Sequence, residues 1–440
     1  MRVLFAVHGL PPEKRAGVEL YTDALAGELA RRGHAVAVVV RGTGAGGVRV
    51  EPRGGYEVHT IDLPRRKRRF LDHLLDPRVD ALFGERLARF RPDVFHAQHL
   101  LGLSLGTIEA ARASGARVVL TLHDFFLGCP RGQRVREDRS YCASVDRSLC
   151  ARCLRPEWQG IHRDPALPFR LAANLVANPA ARLLAEYDRL VRAALEGADL
   201  VLTPSEWYRK EYVRWYSLDP SRVRAVPPGL PHEFAPAARG ARREGEPLAV
   251  GYVGSLIPTK GAHVLAAAVA SIERAGVARL SLHGGALPYF GHAPAEYENE
   301  IRSVAARSRS EIVLHGRYDS AALPAILASF DVLALPSLYP ESYSLTLREG
   351  WLAGLPVAAS RLGAFEDAVT DGENGLLVPP GDVRAWRDAI LRLAGDAALR
   401  ERLSRAAAAT AHSSPMAAHA AVLESLYAAP GRGDRAGGRG

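Results

Sequence analysis

Apolar residues in this chain arrive in short unbroken blocks, and the stretches between them carry helical spacing. Val3 to Val7 is the first block, and "HAVAVVV" (His34 to Val40) is the second. Between them Val18, Tyr21, Leu25 and Leu29 recur at intervals of three and four, which predicts one buried helix face ended by Gly33. "PDVFHAQH" (Pro92 to His99), "ARVVLTLHD" (Ala116 to Asp124) and "GADLVLTPS" (Gly197 to Ser205) continue the series as strand-then-loop units. Continuously apolar strands alternating with helices predict a parallel sheet covered on both faces.

The rhythm breaks in "RVRAVPPGLPHEFAPAARGARREGEP" (Arg222 to Pro247), rich in Pro, Gly and Arg, which reads as a linker. It restarts with "LAVGYVGSL", then "GAHVLAAAVASIERAG", "ARLSLHGG", "EIVLHG", "DVLALPS", "LPVAAS" and "NGLLVPP". A final helix is expected over Pro415 to Ala429, followed by a Gly- and Arg-rich tail expected to be disordered. The fold class is therefore α/β, with two doubly wound, Rossmann-like domains. Their expected limits are residues 1–228 and 248–412, joined by a linker at 229–247. A crossover helix at 413–429 and a tail at 430–440 complete the chain. A length of 440 residues agrees with two cores rather than one.

Composition narrows the setting. No apolar run approaches the roughly 20 residues of a membrane helix. The opening "MRVLFAVHGLPPEKRAG" reads as a first strand and not as a signal peptide, so a cytoplasmic protein is expected. The net charge of +9 is spread along the chain, apart from "RRKRRF" at Arg65 to Phe70. That run is read as a solvated loop, or as a peripheral contact with anionic lipid at the inner membrane face. Nothing resembles a nucleic-acid module. Lysine occurs only at Lys14, Lys67, Lys210 and Lys260, the other basic residues being arginine. A lysine that persists in so arginine-rich a chain points to a need for a compact ammonium.

Open α/β sheets bind ligands at the carboxyl ends of their strands, so chemistry is sought there. In "GYVGSLIPTKGAH" (Gly251 to His263), Gly254 permits close backbone approach and Ser255 follows it. Lys260 stands where the next helix begins, a combination suited to a phosphate, although the order of a Walker loop is absent. Gly17 precedes a helix in the same way, as an anion contact or a tight packing turn. "PSLYPESYSLTLREGWLAGLPVAAS" (Pro336 to Ser360) holds Glu341 and Glu349. Eight helical residues would separate the two acids by about 12 Å. Hydrolytic pairs stand roughly 5–9.5 Å apart, so the spacing does not favour glycoside hydrolysis. Pro340 biases Tyr339 towards extended backbone, which places Glu341 before the helix and Glu349 within it. Carboxylates accept from paired sugar hydroxyls, and the amides of Ser342, Tyr343 and Ser344 could hold a phosphate. These residues read either as a nucleotide-sugar clamp or as two surface acids.

The ordered set "ADLVLTPSEWYRKEYV", "GYVGSLIPTKG", "DVLALPS", the E-x7-E element with "GWLAGLPVAAS", and "DGENGLLVPPGD" resembles the retaining glycosyltransferases of the GT-B fold, family four. The resemblance runs over about residues 1–428. It implies a nucleotide-diphosphate sugar in a cleft that two domains face, with the last helix crossing back to the first domain. It implies Glu349 on the ribose and Glu341, with the amides after it, facing the transferred sugar. It also implies Lys260 on the diphosphate, Gly17 admitting the first domain, and His123 at the reaction centre. Catalysis would need no metal there, and the acceptor would be a lipid-linked glycan, a polysaccharide or a small molecule. Where the family often has arginine this chain has Ser255, and Ser342-Tyr343 replaces glycine-phenylalanine. A non-catalytic nucleotide-sugar-binding subunit is the alternative. A nicotinamide oxidoreductase is disfavoured because no G-x-G-x-x-G follows the first strand.

All four cysteines, Cys129, Cys142, Cys150 and Cys153, fall in one insertion at 125–164. The closing C-x2-C predicts a structural zinc site, with free thiols, disulfides or an iron–sulfur cluster as alternatives. Such a site would shape the acceptor side without performing chemistry.

Overall fold

The computed structural model describes residues 1–14, 16–64, 70–136, 138–153, 179–232, 234–238, 240, 245–289, 293–411 and 415–429. The basic run at 65–69, residues 154–164 of the insertion and the tail at 430–440 lie outside them. The chain divides into two units. One comprises Met1–Arg134, Ala143–His232 and Ser414–Gly440, and the other Val135–Cys142 and Glu233–Ser413.

The first unit is built on eight strands: β1 (Arg2–Ala6), β2 (Ala35–Gly42), β3 (Gly47–Arg53), β4 (Tyr56–Asp62), β5 (Val94–Ala97), β6 (Arg117–Thr121), β7 (Leu200–Thr203) and β8 (Val223–Ala225). They lie in the order β3-β4-β2-β1-β5-β6-β7-β8, all neighbours parallel except the antiparallel β3–β4 pair. Val3, Leu4 and Phe5 of β1 are wholly buried, as a strand covered on both faces requires. The helix Gly17–Arg31 presents Tyr21, Leu25 and Leu29 to that core, matching the predicted stripe. The backbone turns out of it at Gly33, φ 88°.

Two strands escape the block reading. β3 and β4 form a hairpin whose turn at Gly54 and Gly55 takes positive φ, and β3 is largely exposed. β8 lies inside the stretch read as linker. Three residues suffice for an edge strand beside β7, and Pro227 and Pro228 follow it without an N–H to offer a ladder.

The second unit carries β9 (Leu248–Val253), β10 (Ala278–His283), β11 (Ile312–Gly316), β12 (Val332–Leu335), β13 (Val357–Ser360) and β14 (Leu376–Val378). All are parallel, in the order β11-β10-β9-β12-β13-β14. In each sheet the order reverses direction beside the first strand, which is where such sheets open a crevice for ligands.

The last helix, Met416–Ala428, belongs to the first unit and buries Ala420, Leu423 and Tyr427 in its core. Tyr21 Oη and His419 Nε2 lie 2.6 Å apart, and Tyr427 Oη and His96 Nδ1 also 2.6 Å. The Arg32 guanidinium donates twice to Glu424, at 2.8 and 2.5 Å, and His34 Nε2 reaches the same carboxylate at 2.7 Å. Among the described residues no helix is long and apolar enough to cross a membrane.

Candidate active site

In the second unit, glycines bring three loops together at the carboxyl ends of β9, β10 and β12. Gly284, at φ 150°, sits so close to the loop after β9 that a Cβ would lie 1.8 Å from the Gly254 carbonyl oxygen. Gly254 itself takes φ 153°. Gly261, at φ 74°, is pressed against the loop after β12, where a Cβ would come within 1.9 Å of Pro336 O. The Leu338 amide donates to Thr259 O at 2.7 Å across the same junction. Ser255 is half-buried, and its carbonyl accepts from Tyr252 Oη at 2.8 Å.

That junction joins the predicted lysine to the predicted acid. Lys260 Nζ donates to Glu341 Oε1 at 2.7 Å. Ser337 Oγ donates to the same oxygen at 2.6 Å, and Tyr339 Oη to Oε2 at 3.1 Å. The Tyr339 ring also stands 5.2 Å from the ammonium. Glu341 is only 6% exposed, and its backbone is locked as well, its carbonyl accepting from Ala364 N at 2.9 Å.

The helix Leu345–Leu352 starts after Ser344, whose Oγ accepts from Leu347 N at 3.3 Å. Glu341 thus precedes the helix and Glu349 lies inside it, as Pro340 suggested. Glu349 is buried at 5% exposure. Burial, reinforced by the Glu349 charge, pushes the Tyr318 hydroxyl up to about 12. Ser342 is half-buried, while Tyr343 is buried under the Arg348 guanidinium, 4.8 Å from its ring centre.

In the first unit, His123 lies just past β6, with Nε2 2.6 Å from Gln98 Oε1 and its ring edge-on to Tyr21 at 5.3 Å. Burial drives its pKa down to about 3; His99, His419 and His8 act the same way, and Asp124 opposes them. The ring is therefore neutral near pH 7. Because Gln98 Oε1 can only accept, Nε2 carries the proton and Nδ1 keeps a lone pair. Around it, His8 Nε2 meets Glu19 Oε1 at 2.7 Å, and His99 Nε2 meets Asp124 Oδ2 at 3.0 Å. Gly17 is exposed at the first position of its helix.

The structure joins Lys260 to Glu341 directly and adds Ser337, Tyr339, Tyr318, Gln98 and Glu19. Sequence reasoning passed over these as ordinary polar residues. Tyr339 and Ser337 do carry a signal, lying immediately past β12 in the same loop as Glu341. The expectation of zinc gains no support. Among the described residues no group of three or more His, Cys, Asp or Glu side chains could hold a metal. Cys142 falls in the second unit and the other three cysteines in the first. Two of the thiols face guanidinium groups instead: Arg131 Nη1 reaches Cys153 Sγ at 3.3 Å, and Arg147 Nη1 reaches Cys150 Sγ at 3.5 Å.

Two parallel Rossmann-like sheets, each with polar groups gathered at its strand ends, define a GT-B type of protein. Residues 16–229 match the model of the glycosyl transferase 4-like domain, and residues 247–396 that of the glycosyl transferases group 1. The chain belongs to the group 1 glycosyltransferases. It is 34% identical over 253 residues to the D-inositol 3-phosphate glycosyltransferase of Corynebacterium glutamicum, covering 53% of this chain and 58% of that one. The match thus spans little more than half of that relative. The protein of the same name from an Arthrobacter species is 27% identical, with 97% and 95% covered. Among solved structures, sucrose-phosphate synthase from Thermosynechococcus elongatus superposes with a TM-score of 0.67 at 22% identity, over 97% of this chain and 98% of that one. HepE of Anabaena, in complex with UDP and glucose, gives 0.62 at 20% identity, over 97% and 99%. These two likenesses concern the fold.

Proposed function

We propose that the protein is a retaining glycosyltransferase that moves a sugar from a nucleotide-diphosphate sugar to a hydroxyl-bearing acceptor. The observation that carries this reading is the Lys260 ammonium, held on buried Glu341 where the β9 and β12 loops meet. As the bond to the anomeric carbon breaks, negative charge grows on the departing diphosphate. Lys260 and the amides of Ser342, Tyr343 and Ser344 stabilise it as it develops. These groups supply the positive field without a metal at the reaction centre. Gly254 and Ser255 let the phosphates approach the β9 loop. Buried Glu349 accepts from the ribose hydroxyls, with Tyr318 beside it.

Glu341 faces the transferred sugar. On the first unit, neutral His123 offers the lone pair on Nδ1 to a sugar hydroxyl. Substitution on the same face follows, the departing phosphate taking the acceptor's proton. Residues 1–228 serve the acceptor and residues 248–412 the donor. The relatives' name suggests a phosphorylated cyclitol as one acceptor class, beside lipid-linked glycans and polysaccharides. The site of action is cytoplasmic.

The test is turnover with a panel of nucleotide sugars. Lys260→Ala and Glu349→Ala are each expected to lower transfer at least tenfold. Near-normal rates in both variants would remove the assignment, and donor binding without any transfer or hydrolysis would favour a binding subunit.

A further inference from the structure

The ammonium that is to meet the diphosphate already has a partner, and that partner is built to stay. Glu341 is buried, its carbonyl is tied to Ala364 N, and its neighbour Gly363 is so close that a Cβ there would lie 2.8 Å from Glu341 N. The carboxylate cannot readily swing away, whereas Lys260 has a flexible stem and a side chain 29% exposed. Ser337, itself 3% exposed, donates to the very oxygen that Lys260 uses, and Tyr339 donates to the other. A carboxylate oxygen that already receives a hydroxyl proton offers less of its charge to a second donor. Ser337 therefore weakens the hold of Glu341 on Lys260 while keeping the carboxylate in place.

From this arrangement we propose that Glu341 is the resident counter-ion of Lys260, exchanged against the diphosphate when the donor binds and restored when the product leaves, and that Ser337 is a positioning residue that sets how firmly Glu341 competes. The inference rests on the glycosyltransferase reading, because the competing ligand is a diphosphate. Two things follow for the site. The lysine is paired before the donor binds and after it, and Ser337 and Tyr339 keep the buried carboxylate hydrogen-bonded when the ammonium turns to the diphosphate. The leaving group, whose charge is greatest after bond cleavage, meets a competitor fixed in place to displace it.

The consequence is a pair of removals with opposite signs. Glu341→Gln keeps the size of the side chain and its hydrogen bond from Ser337 but removes the competing charge. It should tighten binding of a free nucleoside diphosphate by about threefold or more. Ser337→Ala leaves Glu341 leaning harder on Lys260 and should weaken the same binding by about threefold. A residue that merely shapes the loop would weaken binding in both cases.

The experiment is calorimetric titration of the full chain with UDP, ADP, GDP and inorganic pyrophosphate, in wild type, Glu341→Gln, Ser337→Ala and Ser337→Thr. Ser337→Thr keeps the hydroxyl and should restore wild-type affinity. Thermal unfolding midpoints confirm that each variant is folded. Opposite shifts for Glu341→Gln and Ser337→Ala, with rescue by Ser337→Thr, support the exchange. Weaker or unchanged binding in both removals overturns the counter-ion role alone. Failure of the wild type to bind any of the four ligands overturns the glycosyltransferase reading together with it.

Discussion

Gly261→Ala is a single methyl placed where the structure has no room for one. The position has φ 74°, a conformation that costs an L-residue about 1–2 kcal/mol. The new Cβ would lie 1.9 Å from Pro336 O, a backbone atom, where real contacts stay beyond 3.0 Å. The two loops must therefore part by about 1 Å, and Lys260 and Glu341 stand one on each side of that parting. Misplacing a catalytic group by about 1 Å can cost about 100-fold in rate, or about 2.7 kcal/mol of transition-state stabilisation. Steady-state transfer with a saturable donor reads this as a fall in kcat/KM of about that size, with an unfolding free energy lower by at least about 1 kcal/mol. The control is Gly27→Ala, in a helix with nothing within 4 Å of the added carbon. There alanine should raise stability by about 0.5–1 kcal/mol and leave transfer unchanged. If Gly261→Ala keeps kcat/KM within threefold of wild type, the junction does not position the site and the reasoning fails.

The return of the last helix should show in acid. Hydrogen bonds from Arg32, and then from His34, hold Glu424 down at about 2, against an ordinary 4.5, with burial opposing them. A carboxylate depressed in the folded state contributes stability above its unfolded pKa and loses it as the pH falls towards its folded one. The gap in urea-unfolding stability between wild type and Glu424→Gln should therefore be full at pH 6 and shrink between pH 4.5 and 2; a gap independent of pH would contradict this. His123, lowered to about 3, should stay neutral throughout the working range. The pH profile of kcat in wild type and His123→Gln should share the same limbs between pH 5 and 8, at a lower rate in the variant. An inflection near pH 6 that disappears with His123 would refute its neutral role.

Much of the fold was legible because a strand buried on both faces must be apolar throughout. Val3–Val7, Val36–Val40 and Leu333–Leu335 leave no competing reading. β3 was not, because an edge hairpin open to solvent needs no apolar block, and Arg49, Glu51 and Arg53 hide it. β8 was concealed by the prolines that end it. Lys260 and Glu341 could be singled out as scarce or oddly spaced chemistry at strand ends. Ser337 and Gln98 could not, since a serine and a glutamine acquire roles only when folding sets them 2.6 Å from Glu341 and His123. The cysteines show the opposite case, an expectation that the described residues leave without support. Close spacing along a chain does not by itself make a metal site, and two of these thiols lie beside arginines.

The proposed chemistry requires the β9 and β12 strand ends to hold the nucleotide of an activated sugar. The most direct measurement is an experimental structure of the full chain soaked with the nucleotide sugar that most raises its thermal stability. It should place the diphosphate within hydrogen-bond distance of Lys260 Nζ and the ribose hydroxyls on Glu349. A nucleotide bound away from both residues would contradict the account.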